Sequence, residues 1–148
     1  MDKTNVNDVA DHVLELAAMF DYPAPGVAAD TALAETCIGV VGPGPRQIAI
    51  GTVSLHPNAA LAANNAAYAT ISVFKRTAGG AAVLLASITT QVAAPGSNSW
   101  VAFTPFNLVV VAGAFVSPGD AITYSITQTG AGAPLMPPFI IAGYPKAN

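Results

Sequence analysis

The stretch from Ser117 to Pro138 constrains the fold more than any other part of the sequence. Between Ile122 and Thr127, large apolar residues alternate with small hydroxyl residues, as in a strand with one buried face. Ser117-Pro118-Gly119-Asp120 precedes this strand and favours a tight turn, because proline fixes φ and glycine tolerates positive φ. We therefore predict a strand that faces a second sheet. Pro137-Pro138 should confine the segment that follows to a sheet edge or a bulge.

The composition combines few charges with many apolar residues. Charged residues make up 9% of the 148, against about 25% in a typical soluble domain, and the mean hydropathy is +0.53. The longest apolar run, Leu108 to Val116, is half of the roughly 18 residues that a membrane-spanning helix needs. The length indicates one domain with a substantial core, and so apolar a surface is expected to be covered by copies of the chain or by a larger assembly.

Residues 1–35 differ from the rest of the chain in charge and pattern. They hold seven acids and one base, a net charge of −6, whereas residues 36–148 hold four bases and one acid, a net charge of +3. Apolar residues at three- and four-residue steps predict a short amphipathic helix that ends at Tyr22–Gly26, followed by an extended arm. The arm either folds back onto its own domain or reaches a neighbouring subunit or another protein. The helical stripe consists of Val6, Val9, Val13, Leu16 and Phe20.

From residue 36 onward the sequence predicts strands separated by turns and no further helix. The most distinct pair flanks Thr77-Ala78-Gly79-Gly80, which is a hairpin signature, and Gly51 is expected to form a bulge. The predicted class is all-β, an antiparallel β-sandwich of about eight strands, most simply a jelly roll. The expected strands are 37–41, 47–55, 68–76, 82–92, 100–106, one or two within 108–116, 122–127 and 139–142.

Residues that could carry chemistry are few and poorly spaced. A hydrolytic triad in residues 36–148 would have to use His56 and Asp120, the one histidine and the one acid there. A metal site lacks any ligand spacing, and the single Cys37 has no partner thiol, so it is interpreted as a strand residue. Lys75-Arg76 is expected to be a solvated pair at the hairpin tip, and five bases in all argue against nucleic-acid binding. Trp100 is interpreted as a core or interface residue, with a sugar-stacking platform shared with Tyr144 as the alternative.

The order of these segments resembles the small β-sandwich structural proteins of tailed bacteriophages, found as capsid decoration (cement) proteins, head fibres and related virion components. The resemblance covers roughly residues 36–144. The segments that carry it are YATISVFKR at 68–76, LASITT at 85–90, SWVAFTPFNL at 99–108, PGD at 118–120 and QTGAGAP at 128–134.

The resemblance implies a non-enzymatic subunit without a cofactor, expected to be a homotrimer that binds the major capsid protein on the outer head surface and stabilises the shell. Neither nucleic acid nor membrane is an expected partner. Because the acidic start Met1-Asp2-Lys3 is unlike a secretory signal, synthesis in the host cytoplasm and location in the virion are expected. The alternative is a head- or tail-fibre module that binds a host receptor or a glycan. The expected capsid or subunit contacts are Val6, Val9, Val13, Leu16, Phe20 and Tyr22.

Overall fold

A computed structural model describes residues 18–43, 46–92 and 99–146 of the chain. These residues form ten strands and no helix, so the predicted all-β class is confirmed for this part of the chain. The strands are β1 (Phe20–Ala24), β2 (Leu33–Val40), β3 (Ile48–Pro57), β4 (Tyr68–Arg76), β5 (Val83–Thr89), β6 (Phe106–Asn107), β7 (Val109–Val110), β8 (Phe115–Val116), β9 (Ala121–Thr129) and β10 (Phe139–Pro145).

The strands are arranged in two antiparallel sheets. The first sheet has the order β1-β10-β3-β6, and β8 also pairs with β3. The second sheet has the order β2-β9-β4-β5-β7. Both sheets contribute to one continuous apolar core, in which the ring of Tyr124 from β9 meets the ring of Phe139 from β10 edge-on at 5.8 Å.

Strand β9 confirms the alternation on which the sequence analysis depends. Ile122, Tyr124 and Ile126 are fully buried, and each side chain of this size contributes roughly 1.5–3 kcal/mol on burial. The predicted turn before the strand is also present: the Asp120 amide donates to the Ser117 carbonyl at 3.0 Å, and Gly119 has φ of 85°.

Two other local predictions are confirmed. Strands β4 and β5 form the predicted antiparallel hairpin around Thr77–Gly80. Gly51 forms the predicted bulge, because Thr52 pairs with Tyr144 while Ile50 pairs with Pro145, leaving Gly51 as the extra residue on β3. A Cβ at Gly51 would lie 2.7 Å from the Cα of Lys146, so only glycine fits this close backbone approach.

The start of the domain differs from the prediction. Phe20 and Tyr22, assigned to a helix and its end, lie on β1, which pairs with β10. Phe20 is buried in the core, whereas Asp21 and Pro23 face outward. These residues therefore follow the period of two of a strand and not the spacing of a helix. The two sheets therefore include residues from Phe20 onward, well before residue 36. The other stripe positions, Val6, Val9, Val13 and Leu16, lie outside the described residues.

Two further predictions about strands are wrong. The predicted strand 100–106 contributes only Phe106 to a strand, because the Thr104 amide donates to the Val101 carbonyl at 3.2 Å and Phe103 adopts φ of 59°, which turns the chain. The segment after Pro137-Pro138 is not at a sheet edge, since β10 pairs with both β1 and β3. The two prolines precede the ladder, so their missing N–H groups remove no hydrogen bond from it.

Candidate functional site

The two ends of the paired sheets differ in their charged residues. We call one the charged end; it contains the connections 41–47, 77–82 and 117–120, which join β2 to β3, β4 to β5 and β8 to β9. The opposite end contains the connections 25–32, 58–67, 90–105 and 130–138, and we call it the Phe103 end. Asp30 is the single charged residue in the sequences of the connections at the Phe103 end. The charged residues at or beside the charged end are Arg46, Lys75, Arg76, Asp120 and Lys146.

Lys75 and Asp120 form a buried ion pair at the charged end. The Lys75 Nζ lies 3.7 Å from an Asp120 carboxylate oxygen, and both residues are at most 5% exposed. The Asp120 carboxylate accepts hydrogen bonds from the Thr77 hydroxyl at 2.6 Å and from the Ser117 amide at 2.8 Å. Asp120 therefore joins the hairpin tip to the turn that starts β9. The expectation that Lys75 is solvated is wrong, because Lys75 shares the inward phase of Ala69, Ile71 and Val73.

Arg76 and Glu35 form a second, more exposed ion pair beside the first. The guanidinium donates two hydrogen bonds to the Glu35 carboxylate, at 2.7 and 2.6 Å, in a bidentate geometry. Thr123 also donates to Glu35. The hydrogen bonds from Arg76 and Thr123 lower the pKa of Glu35 from 4.5 to about 2. Glu35, counted from sequence among the charges of the arm, is thus engaged inside its own domain.

His56 and Asp120 are not brought together. His56 lies near the Phe103 end of β3, where its Nε2 is 3.1 Å from the Ser54 Oγ. Asp120 lies at the charged end, a few residues after Val116, which pairs with Ile48. Ile48 and His56 lie eight positions apart on β3, about 25 Å along a strand. The described residues also contain no cluster of three or more potential metal ligands.

Trp100 belongs to the core, as the sequence analysis favoured. It is 2% exposed and packs against the rings of Phe106 and Phe139, at 6.3 and 5.9 Å between centroids. Tyr144 lies on β10 opposite Thr52, away from the Leu61–Trp100 bridge. The two residues therefore do not form a shared sugar-stacking platform. Tyr124 is also in the core: its hydroxyl donates to the Pro25 carbonyl at 2.8 Å, and burial raises its pKa to about 12.

Comparison with known proteins places the chain in no family. No protein-family model, curated protein or solved structure matches it. In the part of the chain that the structure describes, no helix has the length and hydropathy needed to cross a membrane.

An apolar cleft of about 140 Å³ opens at the charged end, between β4, β5, the connection 111–114 and β8. Its rim includes Val83, 51% exposed, and Phe115, 40% exposed. The Lys75 ammonium lies 3.3 Å from the centroid of the Phe115 ring. The side chains that line the cleft include Lys75, Val83, Leu84, Leu85, Val111 and Phe115.

The outer surface of the second sheet carries two rows of hydroxyl side chains, which we call the hydroxyl face. Cross-strand pairing aligns Thr127, Thr70 and Thr89 in one row and Ser125, Ser72 and Ser87 in the next. On the same side of β4, Tyr68 precedes Thr70 and Phe74 follows Ser72. Alternation along β4 and β9 predicts that the hydroxyl side chains of each strand share one face. Their alignment across three strands depends on the strand register, which a single strand does not show.

Proposed function

We propose that the chain is a bacteriophage virion structural protein of the capsid decoration (cement) type, which binds the outer surface of the head shell and stabilises it. The observation that carries the proposal is the number of large apolar side chains at the surface. Eleven such side chains are exposed among the described residues, and those at the Phe103 end include Phe103, 81% exposed, and Leu135, 60% exposed. Four of the eleven, Val83, Leu84, Val111 and Phe115, surround a single cleft, and contiguous apolar patches are typical of surfaces that contact other proteins.

The distribution of charge supports the same proposal. Lys75, Arg76, Glu35 and Asp120 neutralise one another inside the domain. The described residues therefore offer few charges for steering a charged ligand: Asp21, Asp30, Arg46 and Lys146 are exposed. Contacts of this neutral kind are weak per copy but add up when many copies attach to one shell. The proposal assigns the chain no enzymatic role and no cofactor.

The strand order supports the finer description of the fold as a jelly roll. Every connection between consecutive strands crosses from one sheet to the other except the β4–β5 hairpin. The order β1-β10-β3-β6 facing β2-β9-β4-β5 is that of two interlocked Greek keys, an arrangement used in viral capsid proteins. In this proposal the partners are the major capsid protein and further copies of the chain, as a homotrimer, and the location is the virion head surface.

Residues 1–17 have a defined place in the proposal, as the acidic segment that reaches the shell or a neighbouring subunit. Their sequence carries the apolar stripe from Val6 to Leu16 and more acids than bases. A test must remove these residues alone, because a deletion that continues to residue 33 would also remove β1 and the buried Phe20.

The experiment is co-sedimentation with empty head shells of the virus that encodes the chain. We expect the full chain to bind the shells at saturable stoichiometry and to raise their melting temperature. The variant without residues 1–17 should keep its unfolding transition but bind at least tenfold more weakly. A Thr70→Ala variant on the hydroxyl face serves as a control and should bind normally. Absence of binding by the full, folded chain would refute the proposal.

A fibre module that binds a host glycan is the second candidate, and the hydroxyl face is the observation that favours it. Of its six hydroxyls, only that of Thr89 takes part in a hydrogen bond with the protein among the described residues, where it accepts from the Gln91 amide. The others are available to a polyhydroxylated ligand, with Tyr68 and Phe74 nearby for stacking. Binding to a glycan array that is lost in Thr70→Val and Ser72→Ala would support this candidate, whereas an array without signal would exclude it.

A further inference from the structure

The apolar cleft has the size and lining of a site for one aromatic ring. A cavity of roughly 150 Å³ lined by Leu, Ile and Phe can accommodate a benzene molecule, and this cleft measures about 140 Å³. Its walls are aliphatic except for Phe115 and Lys75. The cleft is open at the surface, so a side chain of another molecule can enter it.

Lys75 gives the cleft an electrostatic preference. The ammonium is buried and makes no hydrogen bond to any described residue, since its distance of 3.7 Å to the Asp120 carboxylate is too long for one. The ammonium lies over the face of the Phe115 ring, 3.3 Å from the centroid. An ammonium attracts the negative faces of aromatic rings, so a second ring that enters the cleft is favoured beyond its apolar area. Because Asp120 already balances the charge, a neutral aromatic ring fits better than an anion.

Phe103 is the side chain of this protein best suited to enter such a cleft. It is 81% exposed, the highest value among the exposed large apolar residues of the described part. Its φ of 59° is unfavourable for a bulky residue, yet the Phe103 amide donates to the Pro57 carbonyl at 2.8 Å, which holds the turn in place. The ring is therefore presented to solvent by a turn of defined geometry.

A Phe103 ring cannot reach the cleft of its own copy. Phe103 lies beside Pro57, whereas Phe115 of the cleft pairs with Ala49, eight residues away along β3, or about 25 Å. The two ends also differ in charge: Arg46 and Lys146 are exposed beside the charged end, and Asp30 is exposed at the Phe103 end. Among the described residues, contact between the charged end of one copy and the Phe103 end of another therefore brings opposite charges together.

We infer that the chain associates with itself by inserting Phe103 of one copy into the cleft formed by Lys75, Val83, Leu84, Leu85, Val111 and Phe115 of a second copy. The contact joins two different surfaces, so it builds a reciprocal pair, a closed ring or an open filament, and the mass of the complex distinguishes them. This inference concerns contact between copies and does not rest on attachment to a capsid shell.

The test uses intermolecular disulfide formation in a Cys37→Ser background. One protein carries Thr104→Cys, which is exposed next to Phe103 and keeps its ring, and a second carries Val83→Cys, so a disulfide between them must join two copies. The matched control replaces Val83→Cys by Val40→Cys, which is equally exposed, at 52% against 51%, but does not line the cleft. We expect mild oxidation to cross-link the first pair at least tenfold more than the control pair. Equal cross-linking of both pairs, or none, would overturn the inference.

A second measurement guards against loss of folding in the cysteine variants. Sedimentation equilibrium of the unmodified chain should give a mass above the 14.8 kDa of one copy. Phe103→Asn, which suits the left-handed φ, should return the mass to one copy while keeping the thermal transition. A complex whose mass does not change in Phe103→Asn, or a parent chain that is monomeric at every concentration, would also overturn the inference.

Discussion

The two ends of the molecule hold the same two sheets together in different ways. At the charged end, a buried carboxylate joins separate turns: Asp120 contacts Lys75, Thr77 and Ser117. At the Phe103 end, aromatic packing and backbone contacts take this role, with Trp100 buried against Phe106 and Phe139. The described residues thus concentrate most of their charges at one end, and we expect the two ends to respond differently to substitution and to pH.

The largest difference is expected when an acid is removed from each end. Asp120→Ala leaves the Lys75 ammonium buried without a counter-charge, and breaking a buried pair on one side costs roughly 3–5 kcal/mol. Asp30→Asn, at the Phe103 end, keeps an oxygen acceptor for the Ala133 amide and suits the φ of 55° at this position, so it should cost at most about 1 kcal/mol. Urea unfolding of both variants measures the difference.

The double variant Lys75→Met with Asp120→Asn is the control for this comparison. It removes both charges, so it should recover most of the stability that Asp120→Ala loses. Equal losses in the two single variants, or no recovery in the double variant, would show that the charged end does not depend on the buried pair.

Two glycines with nearly the same φ give the next comparison. Gly119 at the charged end has φ of 85° and nothing within 4 Å of an added Cβ, so Gly119→Ala should cost only the left-handed strain of about 1–2 kcal/mol. Gly130 at the Phe103 end has φ of 83°, and an added Cβ would lie 2.0 Å from the Ala66 carbonyl oxygen. Gly130→Ala should therefore cost roughly 2–5 kcal/mol, since overpacking adds to the strain. Similar melting temperatures for the two variants would contradict this.

A smaller effect is expected from pH, and again at the charged end. Because the pKa of Glu35 is lowered from 4.5 to about 2, the carboxylate stabilises the fold above pH 4.5, and this contribution is lost as the pH falls towards 2. Denaturant midpoints of the parent chain and of Glu35→Gln should converge over this range. A constant difference from pH 6 to pH 2.5 would show that the pair with Arg76 contributes no pH dependence.

The smallest effect on stability is expected at Phe103 itself. Its ring is exposed, so Phe103→Asn should change the unfolding free energy by no more than about 0.5 kcal/mol. Trp100→Ala, three residues earlier and buried, should cost roughly 3–5 kcal/mol. A large loss in Phe103→Asn would mean that the ring packs against its own domain.

The parts of the fold that could be predicted from sequence are those with a strict period of two. The alternation in β9, the β4–β5 hairpin and the Gly51 bulge each depend on neighbouring residues only. The same alternation places Lys75 on the buried face of β4, but its charge led to the prediction that it is solvated. Burial of a lysine depends on a distant partner, here Asp120, which no local pattern reveals.

The predictions that failed concern residues whose conformation is not decided by their local sequence. Phe20 and Tyr22 fit both a helical stripe and an alternating strand, and pairing with β10 decides between them. The turn at Phe103 requires a left-handed aromatic residue, which local preference disfavours. The apolar cleft combines β4, β5 and β8 across both sheets, so neither its volume nor its lining follows from any single segment.

The proposal that this domain covers a viral head is tested most directly by imaging the intact particle by electron cryo-microscopy. We expect the two-sheet domain to fit density on the outer surface of the head, repeated at symmetry-related positions. Its presence at a fibre tip instead, or its absence from the particle, would contradict the account.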